Sequence, residues 1–117
     1  MQRWRLDGVR VLQILNLSHN RLTTLPIDFP LAYRLQQLYT GSNDIAEIPK
    51  DVAKLKNLVT LDLTDNYLTT LPETLVKLSS LTELNLTDNM ILQWPTNFVK
   101  LQNKVNVSCV DLCLLSS

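Results

Sequence analysis

The chain is short of several things that mark common functions. Glycine occurs only at Gly8 and Gly41 in 117 residues, so there is no glycine-rich loop to cradle a phosphate group. An excess of one charge is also missing: eleven Lys and Arg balance eleven Asp and Glu, and no overall field draws the chain to nucleic acid or to an acidic membrane. No apolar run reaches the length of a membrane span; residues 110–115 come nearest, are too short and include Asp111. Residues 1–10 carry Arg3, Arg5 and Arg10 without an apolar core, unlike a secretory leader. The expectation is therefore a cytoplasmic protein in a reducing compartment, with Cys109 and Cys113 as free thiols. A zinc site needs about four ligands. Two cysteines at Cys-x-x-x-Cys spacing and one distant histidine, His19, do not supply them, and no cofactor or metal is expected.

What the chain does have is a strict internal period. Asn20, Asn43, Asn66 and Asn89 are each 23 residues apart, and so are Pro26, Pro49, Pro72 and Pro95. The same frame surrounds each pair. The first copy reads Leu12-x-x-Leu15-x-Leu17-x-x-Asn20-x-Leu22-x-x-Leu25-Pro26. The second runs from Leu35 through Leu38, Thr40, Asn43, Ile45 and Ile48 to Pro49, and the third from Leu58 through Leu61, Leu63, Asn66, Leu68 and Leu71 to Pro72. The fourth runs from Leu81 through Leu84, Leu86, Asn89 and Ile91 to Trp94 and Pro95. Four copies in one register divide the chain into full repeats at 12–34, 35–57, 58–80 and 81–103, with partial repeats at 1–11 and 104–117, all within one domain.

Each position in the frame has a physical reason. Leu-x-Leu is the alternation of a short strand with one face inward. A single copy cannot bury that face alone, so neighbouring copies must stack and bury it jointly. The Asn that follows can donate and accept hydrogen bonds at once, which suits it to satisfy backbone groups of its own turn and of the adjacent repeat, as a ladder. Pro then fixes φ and removes a donor, so the return arc does not extend another strand. After each Pro come apolar anchors three apart: Phe29 and Ala32, Val52 and Leu55, Leu75 and Leu78, Phe98 and Leu101. That spacing suits loops or short 3₁₀-like turns. The expected fold is an α/β solenoid with a short parallel β-sheet on its concave face and loops or short helical turns on its convex face.

The Leu-x-x-Leu-x-Leu-x-x-Asn-x-Leu-x-x-Leu-Pro frame resembles the leucine-rich repeat superfamily over residues 6–114. Its 23-residue period with Leu-Pro is most similar to the intracellular Ras-group, or Ras-suppressor-like, class. The resemblance implies a curved solenoid that offers its concave strand face to protein partners, as a scaffold or regulator in signalling. Thr40 departs from the frame where Leu is expected, and a buried hydroxyl there needs a partner. Both ends are incomplete. Leu6 and Val9 fall on the convex positions of Phe29 and Ala32, while Val107, Cys109 and Leu114 continue a fifth strand in which Leu112 replaces the ladder Asn. The expectation is a fragment or isoform of a longer array, or a small protein that covers its ends by self-association.

Residues between the inward leucines face outward on the concave side. They are Ile14, Asn16, Ser18 and His19; Gln37, Tyr39, Gly41 and Ser42; Thr60, Asp62, Thr64 and Asp65; Glu83, Asn85, Thr87 and Asp88; and Asn106 and Ser108. Asp62, Asp65, Glu83 and Asp88 gather there without a Lys or Arg, whereas Lys50, Lys54, Lys56, Lys77 and Lys100 fall on the convex arcs. With Tyr39 as an aromatic anchor and Asn85 among the outward residues, these acids form the candidate site for a protein partner with a basic segment. The plainer alternative is that Asp65 and Asp88 serve only as turn residues beside the ladder. Five strands span about 19 Å and give roughly 300 Å² of face, against about 800 Å² per partner in a standard interface, so one copy alone should bind weakly.

The remaining features point to no chemistry. Ser18 and His19 are adjacent at a strand end, where side chains diverge, and no buried acid is evident to orient the imidazole, so no catalytic residue is assigned. The four acids lack calcium-loop spacing. Asn16-Leu-Ser18, Asn85-Leu-Thr87 and Asn106-Val-Ser108 are formal glycosylation sequons that the frame itself produces. Trp94 is expected to fill the core near the last repeat, Trp4 to cover the N-terminal edge, and Tyr67 to lie beside the concave face.

Overall fold

A computed structural model describes residues 10–109. The Leu-x-Leu segments form five strands of three residues each: β1 (Ile14–Asn16), β2 (Gln37–Tyr39), β3 (Thr60–Asp62), β4 (Glu83–Asn85) and β5 (Asn106–Ser108). They make one parallel sheet in sequence order. Every pairing has the same 23-residue register, so Leu15, Leu38, Leu61, Leu84 and Val107 stand in one row. Consecutive parallel strands need a crossover between them. Here each crossover is the convex arc, short enough that every coil lies directly on the last.

The arcs behave as their anchor spacing dictates. Lys50–Lys54 and Glu73–Lys77 are 3₁₀ turns that begin after Pro49 and Pro72. Asp28 organises the first arc: its carbonyl accepts from the N–H groups of Leu31 and Ala32, each at 3.0 Å. The fourth arc differs, because Phe98–Gln102 is a short α-helix, α1, and nothing in its sequence marks the change. Side chains brace neighbouring arcs. Asn57 Nδ2 donates to the Tyr33 carbonyl at 2.7 Å, Thr74 Oγ1 to that of Lys50 at 2.9 Å, and Asn97 Nδ2 to that of Glu73 at 3.4 Å.

Between sheet and arcs lies a single core that includes Leu38, Leu61 and Leu84 from the strands and Val52, Leu55, Leu75, Leu78 and Leu101 from the arcs. Thr40 is fully buried within this shell, and its hydroxyl donates to the Asp62 carbonyl at 3.0 Å, which supplies the partner that burial demands. Trp94 is only half-buried and packs on Phe98 with ring centroids 4.6 Å apart. Among the described residues no helix is long and apolar enough to cross a membrane.

One expectation is overturned. Cys109, which follows β5 and packs partly buried against the core, is disulfide-bonded rather than a free thiol. The expectation came from an assumed compartment, not from the geometry of the chain end. The expectations for Trp4, Leu6, Val9, Leu112, Cys113 and Leu114 lie outside the described residues.

Candidate functional site

After each of β1 to β4 the chain turns sharply toward the next inward position. It does so through one residue in the left-handed region, at His19 (φ 61), Ser42 (φ 57), Asp65 (φ 57) and Asp88 (φ 60). None of these is glycine. Asp and His are among the side chains that tolerate that region best, so Asp65 and Asp88 have a backbone role whatever else they do.

The next residue in each case is the repeated Asn. Asn43 Nδ2 donates to the carbonyls of Leu17 (3.0 Å), Thr40 (3.0 Å) and Gly41 (3.2 Å), while its Oδ1 accepts from the N–H groups of Asn20 and Leu22, both at 3.1 Å. Asn66 repeats this one coil on: Nδ2 donates to the carbonyls of Thr40, Leu63 and Thr64, each at 3.1 Å, and Oδ1 accepts from the Ile45 N–H at 3.1 Å. Asn89 donates to Leu63, Leu86 and Thr87 and accepts from Leu68 at 3.0 Å. Each side chain thus ties its own turn to the preceding coil and fixes the strands at one height. The concave surface owes its regularity to those bonds.

On that surface the outward residues fall into two rows. One is Ile14, Gln37, Thr60, Glu83 and Asn106; the other is Asn16, Tyr39, Asp62, Asn85 and Ser108. The second row has a local bond of its own. Asn16 Oδ1 accepts from the Ser18 N–H at 2.9 Å, and Asn85 Oδ1 from the Thr87 N–H at 3.0 Å. Asp62 Oδ1 accepts from both the N–H (3.0 Å) and the hydroxyl (2.5 Å) of Thr64. The Asp62 carboxylate is therefore held by one oxygen, Oδ1. Tyr39 takes this place in β2, and its hydroxyl donates to Gln37 Oε1 at 2.6 Å, which lays the ring along its own strand. Two residues on, Gly41 is buried against the Thr64 carbonyl, where an added Cβ would come within 3.2 Å.

A shallow trough of about 250 Å³ crosses the C-terminal half of the sheet. Tyr39, Asp62, Glu83 and Asn85 line it together with Thr60, Asn106, Ser108 and the strand residues Leu61 and Leu84. Its volume falls below the roughly 300–1,000 Å³ of small-molecule pockets, and it is open, so it suits a side chain from a larger partner better than an enclosed ligand. Four of the six candidate residues meet there. Asp65 and Asp88 do not line it; they sit exposed in the turns beyond the strand ends, where Asp65 Oδ2 accepts from the Ser42 hydroxyl at 3.0 Å. Thr60, Asn106 and Ser108 complete the trough, and strand alternation alone had placed them outward. Tyr67 lies off the sheet on the flank, 64% exposed, one coil from Met90 at 67%.

His19 is exposed, and its backbone N–H donates to the Gly41 carbonyl at 2.9 Å, while the Ser18 N–H is used by Asn16. Among the described residues no group of three or more His, Cys, Asp or Glu is placed to hold a metal ion.

Comparison with known proteins agrees with this architecture. A family model described as "Leucine rich repeat" matches residues 33–91, half of the chain, and a second of the same description matches residues 11–31. Among solved structures, a leucine-rich repeat protein of Leptospira interrogans is 33% identical with a TM-score of 0.73 and matches 83% of this chain. Internalin C2 of Listeria monocytogenes is 30% identical with a TM-score of 0.73 and matches 87% of it. This chain spans only 25% of the first protein and 43% of the second. A comparison with curated protein sequences returned no match. Repeat frame, five-stranded parallel sheet, family model and solved relatives agree: the chain belongs to the leucine-rich repeat family.

Proposed function

We propose that the chain is a protein-binding module, not an enzyme, that takes a basic segment of a partner protein on its concave strand face. Repeats of this family generally mediate protein–protein interaction, which supports the class of function. The trough itself carries the finer reading. Asp62 and Glu83 line it with Tyr39 and Asn85, and no Lys or Arg is among its lining residues. A Lys or Arg of the partner would set its charge between Asp62 and Glu83 and its stem against the Tyr39 ring. The ring is already fixed by its bond to Gln37, so binding orders little that is not ordered beforehand. Asp65 and Asp88 extend the negative surface at the rim and act mainly on approach rate and salt dependence.

The test is capture of partners from a lysate of the source cells by the immobilised wild-type chain and by D62K/E83K. Loss of the same bands with the double reversal, and their retention with K50E/K56E on the convex side, supports the reading. Equal capture by D62K/E83K rejects the acidic trough as the docking point.

We further infer that the chain is a section of a longer signalling scaffold of the 23-residue intracellular class, working in the cytoplasm. The 23-residue frame with Leu-Pro supports the class, and the small share of the solved relatives that the chain spans suits a section of a longer array. Trapping thiols at the moment of cell lysis decides the point: alkylation of Cys109 supports the cytoplasm, and its resistance until a reductant is added excludes it.

A further inference from the structure

The convex side carries a row of its own. Lys54, Lys77 and Lys100 each occupy the last turn of their arc, one per coil, and all three are exposed. They are 23 residues apart, the step that also separates Asp65 from Asp88 in the turns of the opposite side. No carboxylate among the described residues pairs with any of them. Asp51 and Glu73 lie in the first turn of the same short arcs, close in sequence to Lys54 and Lys77. Thr74 bonds to the Lys50 carbonyl and Asn97 to the Glu73 carbonyl, which holds the backbones of the three lysine-bearing arcs in step.

The trough face therefore carries Asp62 and Glu83 with no Lys or Arg, and the arcs carry the lysine row together with Asp51 and Glu73, while the chain as a whole has no net charge. We propose that the concave face of one copy docks the convex lysine row of a second copy. This rests on the same concave face as the proposed function and names one occupant for it. Two properties favour a second copy. Its cations are spaced one per coil, and on the receiving side Asp65 and Asp88 recur at that same step. Its charge is opposite to that of Asp62, Glu83, Asp65 and Asp88. The two patches are different surfaces, so the contact is heterologous and does not close at two copies; successive copies add in one direction. With roughly 300 Å² of sheet face available, each contact is weak and populated only at high concentration.

The experiment is sedimentation velocity of the purified chain over a wide concentration range. It compares about 0.01 M salt, where charges act over about 30 Å, with about 1 M, where they act over about 3 Å. At low salt the weight-average mass should rise continuously with concentration, without a plateau at the dimer, and fall to the monomer at high salt. D62K/E83K and K77E/K100E should each weaken association on the order of a hundredfold, because like charges then face each other. An equimolar mixture of the two variants should recover it, since each supplies the face the other needs. Circular dichroism of both variants confirms that they are folded. A wild-type chain that stays monomeric at low salt overturns the proposal, as does a mixture of folded variants that fails to recover association. Association that survives both reversals also overturns it and assigns self-contact to another surface, such as Tyr67, Met90 and Leu92. None of these outcomes bears on partner capture by the trough, which the lysate experiment reads separately.

Discussion

The middle of the sheet and its first coil are built from the same frame, yet they are held very differently. Leu38 and Leu61 are 0% exposed, whereas Leu15, in the same row of β1, is half-buried. Asn66 is buried and bonds to its own and the preceding coil. Asn20 is exposed, and among the described residues its amide donates only to Leu17 and Ser18 of its own turn. The difference teaches that a residue's worth in this fold is set by whether a coil lies on both sides of it, as expected when stability is a sum of nearest-neighbour terms. It also explains the position of the trough. The best-buried part of the sheet is the part with strands on both sides, and Tyr39, Asp62, Glu83 and Asn85 stand on those central strands.

That contrast can be broken in steps. Leu61→Ala should cost about 4 kcal/mol in urea unfolding, and Leu15→Ala less than half as much; equal losses would remove the nearest-neighbour account. Asn66→Ala strands buried groups in two coils and should cost about 3 kcal/mol, against about 1 kcal/mol or less for Asn20→Ala. Thr40→Val keeps the shape and deletes the bond to the Asp62 carbonyl, a loss of about 1 kcal/mol, while a stabilised Thr40→Val would show the hydroxyl to be a defect in the core. Asp65→Asn keeps a side chain that tolerates positive φ and removes only charge. Stability should stay within about 0.5 kcal/mol while capture of a basic partner weakens and its salt dependence flattens. A large loss of stability there would make Asp65 a structural residue alone.

Much of this was legible in the sequence because the frame repeats in register. Leu15, Leu38, Leu61 and Leu84 fixed the strands, and Pro49 and Pro72 marked the turns that follow them. Strand alternation also placed Tyr39, Asp62, Glu83 and Asn85 on one face. Other features escaped because they depend on three-dimensional neighbours. The bond between Thr64 and Asp62 holds one carboxylate oxygen, and no spacing rule foretells it. The left-handed turn before each repeated Asn had a signal that could have been read, since His19, Ser42, Asp65 and Asp88 share that position. The disulfide at Cys109 was missed because its state was argued from compartment. Met90 and Leu92 are exposed beyond the strands, and the frame says nothing of either.

Amide hydrogen exchange at Ile45 reaches the centre of the account. Its N–H donates to Asn66 Oδ1, a side chain 21 residues further along the chain, and the Leu68 N–H donates in the same way to Asn89. In Asn66→Ala the Ile45 amide should lose its protection while Leu68 keeps most of its own. Protection at Ile45 that is unchanged in Asn66→Ala would mean that the asparagines do not link coil to coil, and the shared sheet face built on them would have no basis.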